Sequence, residues 1–436
     1  MKTGNAGITK LGETMAEIKS HEWLTDKYLT NEGALARKEY ENYCKYLDSL
    51  GLPSYQIARA KYFLQKQNYW TLPDGFALPP HTLNVCVNNI CNLGCRYCDF
   101  GQKNEETFYH QYNVVDRNKK IELPIELCYS IIDQSKWYRP IIRASFREPM
   151  LYKPILDLID YTKKNEMPFW LLTNGINLTK YAKELVELDV DSIRISLDGP
   201  EEVHDKVRGA KGAFNKTIAG VKLLLEEMER KGSKLNLGFY FTINDFNYSS
   251  IYDLIKVLDS EKILDKVYIN FQWLLFTTEK MAREHNEKDA KICGGYIEES
   301  TIQSIDFDAI NFKELSSQAE RIKKEYPFEK GYKIHFRPSF DYEDLLKYSS
   351  TDDFPVENPR CRTPWYNMNI NPAGDVKCFH HCLLPDSGNV HKENVMDIWN
   401  GDIIRDQRIK LKQYGAYRGC ARCWGIYALL EDKKRK

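Results

Sequence analysis

Three thiols fall within eight residues, at Cys91, Cys95 and Cys98, in the spacing C-x3-C-x2-C, and the next cysteine is Cys128. A closed structural zinc site needs four ligands. A four-cysteine iron–sulfur cluster also needs one more than this loop supplies. A four-iron cube held by three thiolates keeps one iron open to a ligand that is not protein, and an open coordination position is where metal chemistry happens. The bland alternative is three incidental thiols, or part of a zinc site completed from elsewhere. A second group comprises Cys361, Cys378, Cys382, Cys420 and Cys423. Cys420 and Cys423 form a C-x2-C chelating pair, and Cys361 and Cys378 flank Asn371-Pro372-Ala373-Gly374, a turn between two expected strands. Brought together, these thiols would make a closed four-thiolate site, either structural zinc or an auxiliary [4Fe–4S] cluster. His380 and His381 add two further candidate ligands.

The elements that must position these groups follow from length and periodicity. A chain of 436 residues holds two or three domains, and 62 basic against 62 acidic residues give no net charge to steer it to nucleic acid. Met1 to Glu22 is polar and lacks the apolar region of a secretory signal, and no apolar run is long enough to span a membrane. The clustering of the 12 cysteines points to metal and a reducing compartment, hence to the cytoplasm. Residues 1–80 read as a helical segment, with helices over 34–50 and 53–67. From His81 the pattern alternates strand and helix. Strands are expected at Thr82–Val87, Pro140–Arg147, Phe169–Thr173, Ser192–Leu197, Leu235–Ile243 and Lys266–Leu274, with helices between them. Short apolar strands alternating with helices imply an α/β fold with a parallel sheet, either barrel or doubly wound. The cysteine loop directly after the first strand favours a barrel with its site at the strand C-termini. Residues 99–120 and 276–310 read as long irregular stretches. Residues 301–355 read as a bridge with a helix, a strand at Lys333–Phe336 and a further helix, and residues 356–436 as a separate cysteine-rich unit.

The loop, with an aromatic residue just before its third cysteine, resembles the cluster motif of radical S-adenosylmethionine (SAM) enzymes. The resemblance extends along successive strand ends. Glu148-Pro149 resembles the end of that family's Gly-Gly-Glu-Pro, with Phe146 and Arg147 where glycines are usual. Thr173-Asn174-Gly175, Ser196-Leu197-Asp198-Gly199 and His204-Asp205-x2-Arg208-Gly209 follow in order. It implies a partial (β/α)6 TIM-type barrel at residues 81–300, in which Cys91, Cys95 and Cys98 hold a [4Fe–4S] cluster whose fourth iron chelates SAM. Tyr97, Glu148, Thr173, Asn174, Ser196, Asp198 and Arg208 are the SAM-binding candidates, Arg208 because a guanidinium pairs bidentately with a carboxylate. One-electron cleavage of SAM would yield a 5′-deoxyadenosyl radical that abstracts a substrate hydrogen.

The C-terminal region resembles the family's small auxiliary domain in its short twitch form, a variant of the SPASM domain. That implies one auxiliary [4Fe–4S] cluster on Cys361, Cys378, Cys420 and Cys423, with Cys382 as the alternative to Cys378. The expected substrate is a small molecule, such as a sugar or sugar-derived metabolite, that is dehydrogenated or rearranged. The alternatives are peptide maturation and a non-enzymatic iron–sulfur or zinc scaffold. The expected partners are that substrate and a flavodoxin- or ferredoxin-type electron donor, with neither nucleic acid nor membrane. Cys44, Cys86 and Cys128 read as core residues. Cys293, in the loop after the sixth strand, is a candidate hydrogen donor to a substrate radical.

Overall fold

The computed structural model describes residues 74–101, 112, 115–116, 119–297, 306–339, 341–350, 352–378, 382 and 384–427, with three isolated positions at 45, 49 and 57. The two helices expected before residue 70, Cys44, most of the 99–120 loop, His380 and His381 lie outside the described residues.

Strand and helix alternate six times: β1 (Thr82–Val85), α1 (Ile125–Ser135), β2 (Ile141–Ala144), α2 (Ile155–Lys164), β3 (Phe169–Thr173), α3 (Leu178–Glu187), β4 (Ser192–Ser196), α4 (Glu201–Arg208), α5 (Ala213–Lys231), β5 (Asn236–Ile243), α6 (Ile251–Ser260) and β6 (Tyr268–Trp273). Each strand pairs in parallel with the next. Period-two alternation sorts their side chains into two environments. One face (Leu83, Val85, Ile142, Phe169, Leu171, Ile193, Ile195, Phe239, Phe241) joins Ile131, Ile155, Leu185, Val221 and Leu254 of the helices in one core. Each fully buried side chain of this kind contributes about 1.5–3 kcal/mol. The strands are apolar on that face. The other face carries Arg143, Trp170, Arg194, Ser196, Tyr240 and Tyr268, all partly exposed toward the lumen.

Two additions extend the sheet. The strand of the expected bridge, β7 (Lys333–Arg337), pairs in parallel with β6. At the opposite edge β8 (Asn367–Ile370) pairs in parallel with β1, and the antiparallel β9 (Asp375–Lys377) and β10 (Gly388–Asn389) follow it. The order is therefore β10-β9-β8-β1-β2-β3-β4-β5-β6-β7. The cysteine-rich unit thus grows directly from the strand that precedes the first cysteine loop.

The stretch after β6 is not irregular as expected. It holds α7 (Glu279–Lys288) and α8 (Ala290–Cys293). The start of α7 is capped by Thr278, whose hydroxyl accepts from Met281 N at 3.1 Å. The composition of α7 is so polar that periodicity did not reveal it. Beyond it lie α9 (Phe312–Glu325), α10 (Tyr342–Ser350), α11 (Val395–Trp399), α12 (Asp402–Tyr414) and α13 (Trp424–Tyr427). The buried Arg408 of α12 donates to Pro364 O at 2.9 Å and Gly75 O at 3.0 Å, tying the segment before β1 to the C-terminal unit.

Candidate active site

The loop after β1 is held by backbone bonds to the end of β2, to α4 and within itself. Glu148 N donates to Ile90 O at 3.0 Å, Arg96 N to Val207 O at 2.8 Å, and Cys98 N to Cys95 O at 3.2 Å. Two glycines allow the fold-back. Gly209 ends α4 at φ +68°, where a Cβ would lie 2.6 Å from Gly94 O, and a Cβ on Gly101 would lie 2.5 Å from both Cys95 N and Cys95 O. No other residue fits either position without moving backbone.

Around the loop the strand ends converge. Arg208 Nη1 points at Cys95 Sγ at 3.5 Å, and Asn174 Nδ2 at Cys91 Sγ at 3.9 Å. Arg208 Nη2 pairs with Asp198 Oδ2 at 2.6 Å, and Tyr97 OH donates to the same oxygen at 3.0 Å. Asp198 Oδ1 accepts from Thr242 N at 3.0 Å, so this carboxylate is fully enclosed. Burial works against the Arg208 charge, but Asp198, Tyr97 and Cys95 hold its pKa well above the ordinary value. The remaining Nε of Arg208 is buried with no hydrogen-bond partner.

Glu148 is also fully buried, and its carboxylate accepts from Thr173 Oγ1 (2.7 Å), Asn174 N (2.7 Å) and Met150 N (3.0 Å). Burial pushes it up to about 7 against these bonds. It therefore ties the end of β2 to the end of β3. The residues before it settle what replaces the glycines: Phe146 and Arg147 both adopt the left-handed backbone, at φ +67° and +52°. The turn is kept at the cost of strain, and the Arg147 guanidinium lies 4.1 Å from the centre of the Phe100 ring, two residues past Cys98.

The His-Asp-x-x-Arg-Gly run is positioning machinery. His204 Nδ1 accepts from Asp198 N at 3.1 Å, and burial holds its pKa down at about 3, so the ring is neutral. Asp205 accepts from Gly212 N and Phe214 N and so fixes the start of α5. Ser196 lies on the lumen face, one residue before Leu197-Asp198.

Whether iron fits the loop is answered by its donors. Burial pushes the Cys91 thiol up and Cys95 to about 12, so thiolates here need a cation. A bound metal supplies one and deprotonates its thiols outright. Three thiols, two donors aimed at sulfur and an unpaired buried guanidinium N–H are a donor set for a cluster that also binds an anionic ligand.

The C-terminal thiols converge as well. A Cβ on Gly425 would lie 3.5 Å from Cys361 Sγ and 3.6 Å from Cys423 Sγ. Cys382 is an electrostatic neighbour of Cys361, Cys420 and Cys423. Cys378 stands behind it, donating from Sγ to Cys382 Sγ at 3.2 Å and so holding the Cys382 thiol below its ordinary pKa. Among the described residues no three Cys, His, Asp or Glu side chains gather at the spacing of one metal ion.

Family comparison decides the class. The radical SAM superfamily profile matches residues 85–258, and that of the SPASM iron–sulfur cluster-binding domain matches residues 361–424. The chain belongs to the radical SAM superfamily. The radical SAM domain implies a [4Fe–4S] cluster with SAM, and the SPASM domain implies auxiliary iron–sulfur ligation. Over 201 residues the chain is 30% identical to an Fe-coproporphyrin III synthase of Methanosarcina barkeri, covering 44% of this chain and 46% of that one. It is 26% identical over 204 residues to a serine-type anaerobic sulfatase-maturating enzyme of Bacteroides thetaiotaomicron, covering 43% and 46%. It thus spans about half the length of the curated relatives it matches. Among solved structures, SuiB of Streptococcus suis superposes with a TM-score of 0.54 at 14% identity, over 91% of this chain and 88% of that one. AdoMet-bound anSMEcpe superposes with a TM-score of 0.52 at 17% identity, over 80% and 88%. At these identities the likeness is one of fold.

Cys293 is not brought to the radical SAM loop. It is 2% exposed, its Sγ 3.4 Å from Gly295 O and 3.8 Å from His285 Nε2, and its thiol neighbour is Cys382. Cys86 and Cys128 are buried as expected. Motif reading missed the lumen arginines, although strict alternation in Ser-Ile-Arg-Ile-Ser of β4 was a legible signal.

Proposed function

We propose that this radical SAM protein generates a 5′-deoxyadenosyl radical at the mouth of the barrel and uses it to dehydrogenate or rearrange a small molecule held in the lumen. The convergence of three thiols with Arg208 and Asn174 carries the reading. When bound on Cys91, Cys95 and Cys98, the cluster with SAM supplies one-electron cleavage of SAM. The chain's residues bind and orient. Arg208 offers its Nε to the SAM carboxylate, and Glu148 holds Thr173 and Asn174 in place beside the amino group. Ser196 and Tyr97 flank the nucleoside, and Asp198 keeps Arg208 charged and aimed. Asp198 itself is closed off by its own bonds, so its contribution to the cofactor is through Arg208. Cys361, Cys420 and Cys423 hold one auxiliary cluster with either Cys378 or Cys382. An all-thiolate cube has no open iron, so it serves electron transfer or structure. An external flavodoxin- or ferredoxin-type donor supplies the first electron. Thiols clustered for metal ligation suit a reducing cytoplasm, and among the described residues no helix is long and apolar enough to cross a membrane.

Peptide modification is the second reading, favoured by the similarity to a sulfatase-maturating enzyme over 204 residues. Radical SAM relatives named for porphyrin and nucleotide chemistry, among them a GTP 3′,8-cyclase of Peptoclostridium acidaminophilum at 29% identity over 159 residues, favour the first. The test is iron content and SAM cleavage after anaerobic reconstitution, in wild type and in a variant with Cys91, Cys95 and Cys98 all changed to Ala. About eight irons are expected in wild type, and about four with no SAM cleavage in the variant. Full cleavage by the variant would overturn the assignment.

A further inference from the structure

The inner face of the barrel carries a concentration of positive charge that the cluster site does not use. Arg143 on β2, Arg194 on β4 and Arg337 on β7 occupy lumen-facing positions. Strands β1–β7 contain no Asp or Glu. Among the described residues neither Arg143 nor Arg194 has a carboxylate in ion-pair reach; the groups acting on Arg194 are Tyr240, Tyr268 and the other two arginines.

Tyr240 on β5 reports the resulting potential. Its hydroxyl lies in the field of all three guanidiniums, Arg143 foremost. Burial alone would raise its pKa, but the three cations hold it below the ordinary tyrosine value. Arg194 is braced for ligand contact. Nη1 donates to Asn236 O at 2.6 Å and Ile193 O at 3.2 Å, and Nη2 to Asn236 Oδ1 at 3.2 Å. Of its five donors, two remain on the other edge of the fork. Its Cζ lies 5.5 Å from the centre of the Tyr268 ring, and Lys333 Nζ lies 5.0 Å from the same ring. The like charges of Arg143 and Arg194 around one lumen are unfavourable without a counter-charge, and a partly dry lumen strengthens that cost.

We propose that the lumen beneath the Cys91–Cys98 loop is an anion subsite, in which Arg143 and Arg194, with the Tyr240 hydroxyl, take the carboxylate or phosphate groups of the substrate. Guanidinium forks match both anions bidentately. The position suits this. Arg194 precedes Ser196 by two residues and Asp198 by four, roughly 7 and 13 Å down the strand. A small anionic substrate anchored there would have its other end at the strand tips, where the radical forms. The subsite rests on the reading of those tips as the reaction centre, and it narrows the expected small-molecule substrate to an anionic one.

The test is calorimetric titration of the reconstituted, SAM-loaded protein with two probes, tricarballylate and inorganic pyrophosphate, which separate a carboxylate site from a phosphate site. One of them is expected to bind at submillimolar concentration, weakening with added salt. Arg143→Gln and Arg194→Gln should each weaken it by about tenfold or more, with Arg143→Lys intermediate and surface Arg230→Gln unchanged. Iron content and SAM cleavage should stay at wild-type levels in Arg143→Gln. If Arg194→Gln fails to fold because its strand contacts are lost, Arg143→Gln decides alone. Binding equal in wild type and Arg143→Gln, or no binding of either probe at about 10 mM, overturns the subsite and leaves the radical assignment standing. Loss of that assignment would appear instead as failure of the wild-type protein to load iron on Cys91, Cys95 and Cys98.

Discussion

The two thiol sites are built on opposite plans. The first takes three cysteines from one loop of eight residues, and its remaining contacts are donors: Arg208 at 3.5 Å from Cys95 and Asn174 at 3.9 Å from Cys91. The second draws five cysteines from segments that begin at Cys361 and end at Cys423, and its closest sulfur contact is another sulfur, Cys378 to Cys382 at 3.2 Å. A local loop can supply three ligands quickly but has to leave the fourth position to something else. A site assembled by tertiary packing can close itself. The open site therefore carries cations and amides to receive a ligand, and the closed one carries a spare thiol.

The largest expected effect falls on the pair that serves the open site. Arg208→Gln leaves Asp198 enclosed and without its cation, which costs about 3–5 kcal/mol. Denaturant unfolding should show that loss, together with failed SAM cleavage. Arg208→Lys should recover stability more than cleavage, because a point charge pairs with Asp198 but lacks the fork. Equal recovery of both would mean that Arg208 serves only the fold.

Next comes the spare thiol. Since Cys382 neighbours Cys361, Cys420 and Cys423, Cys382→Ala should remove about four irons from reconstituted protein. Cys378→Ala should retain them and shift the potential of the auxiliary cluster, because a sulfur-directed hydrogen bond is lost. The reverse pattern would restore Cys378 as the ligand and make Cys382 the outer group.

At neutral pH the smallest effect belongs to His204, whose neutral ring accepts from Asp198 N. Its folded pKa of about 3 lies below the ordinary 6.5, so the unfolded chain takes up the proton first as pH falls. Its stabilisation is complete above about pH 6.5 and is lost toward pH 3, at up to about 1.4 kcal/mol per pH unit. His204→Asn should keep the acceptor and flatten the decline in melting temperature between pH 6.5 and 4 relative to wild type. Parallel curves would show that the ring is not buried neutral.

Most of the strands and helices between His81 and Trp273 were readable because β-branched and aromatic runs alternate with helical periodicity, and their observed bounds differ from expectation by at most three residues. The polar α7 was not readable, since its buried stripe is only Met281, Ala282 and His285 in an otherwise charged stretch. The lumen arginines were overlooked for a different reason. Read along the chain, β4 is a short mixed strand, and only when β2, β4, β5 and β7 curve around one space do Arg143, Arg194, Tyr240 and Arg337 become neighbours.

By itself the sequence determined the radical initiator. The spacing of Cys91, Cys95 and Cys98 confines three thiols to one turn of chain, and Glu148, Asn174, Asp198 and Arg208 follow at successive strand ends. The tertiary structure alone decided how those residues divide their tasks. Asp198 is spent on Arg208, Cys378 and Cys382 are brought into sulfur contact, and β8 docks the auxiliary unit on β1. The physical reason is the range of the interactions. Ligand spacing within a loop is covalent and local, whereas ion pairs, sulfur contacts and strand pairing join residues up to 285 positions apart, as Thr82 and Asn367 are, and such pairs exist only once the barrel has curved.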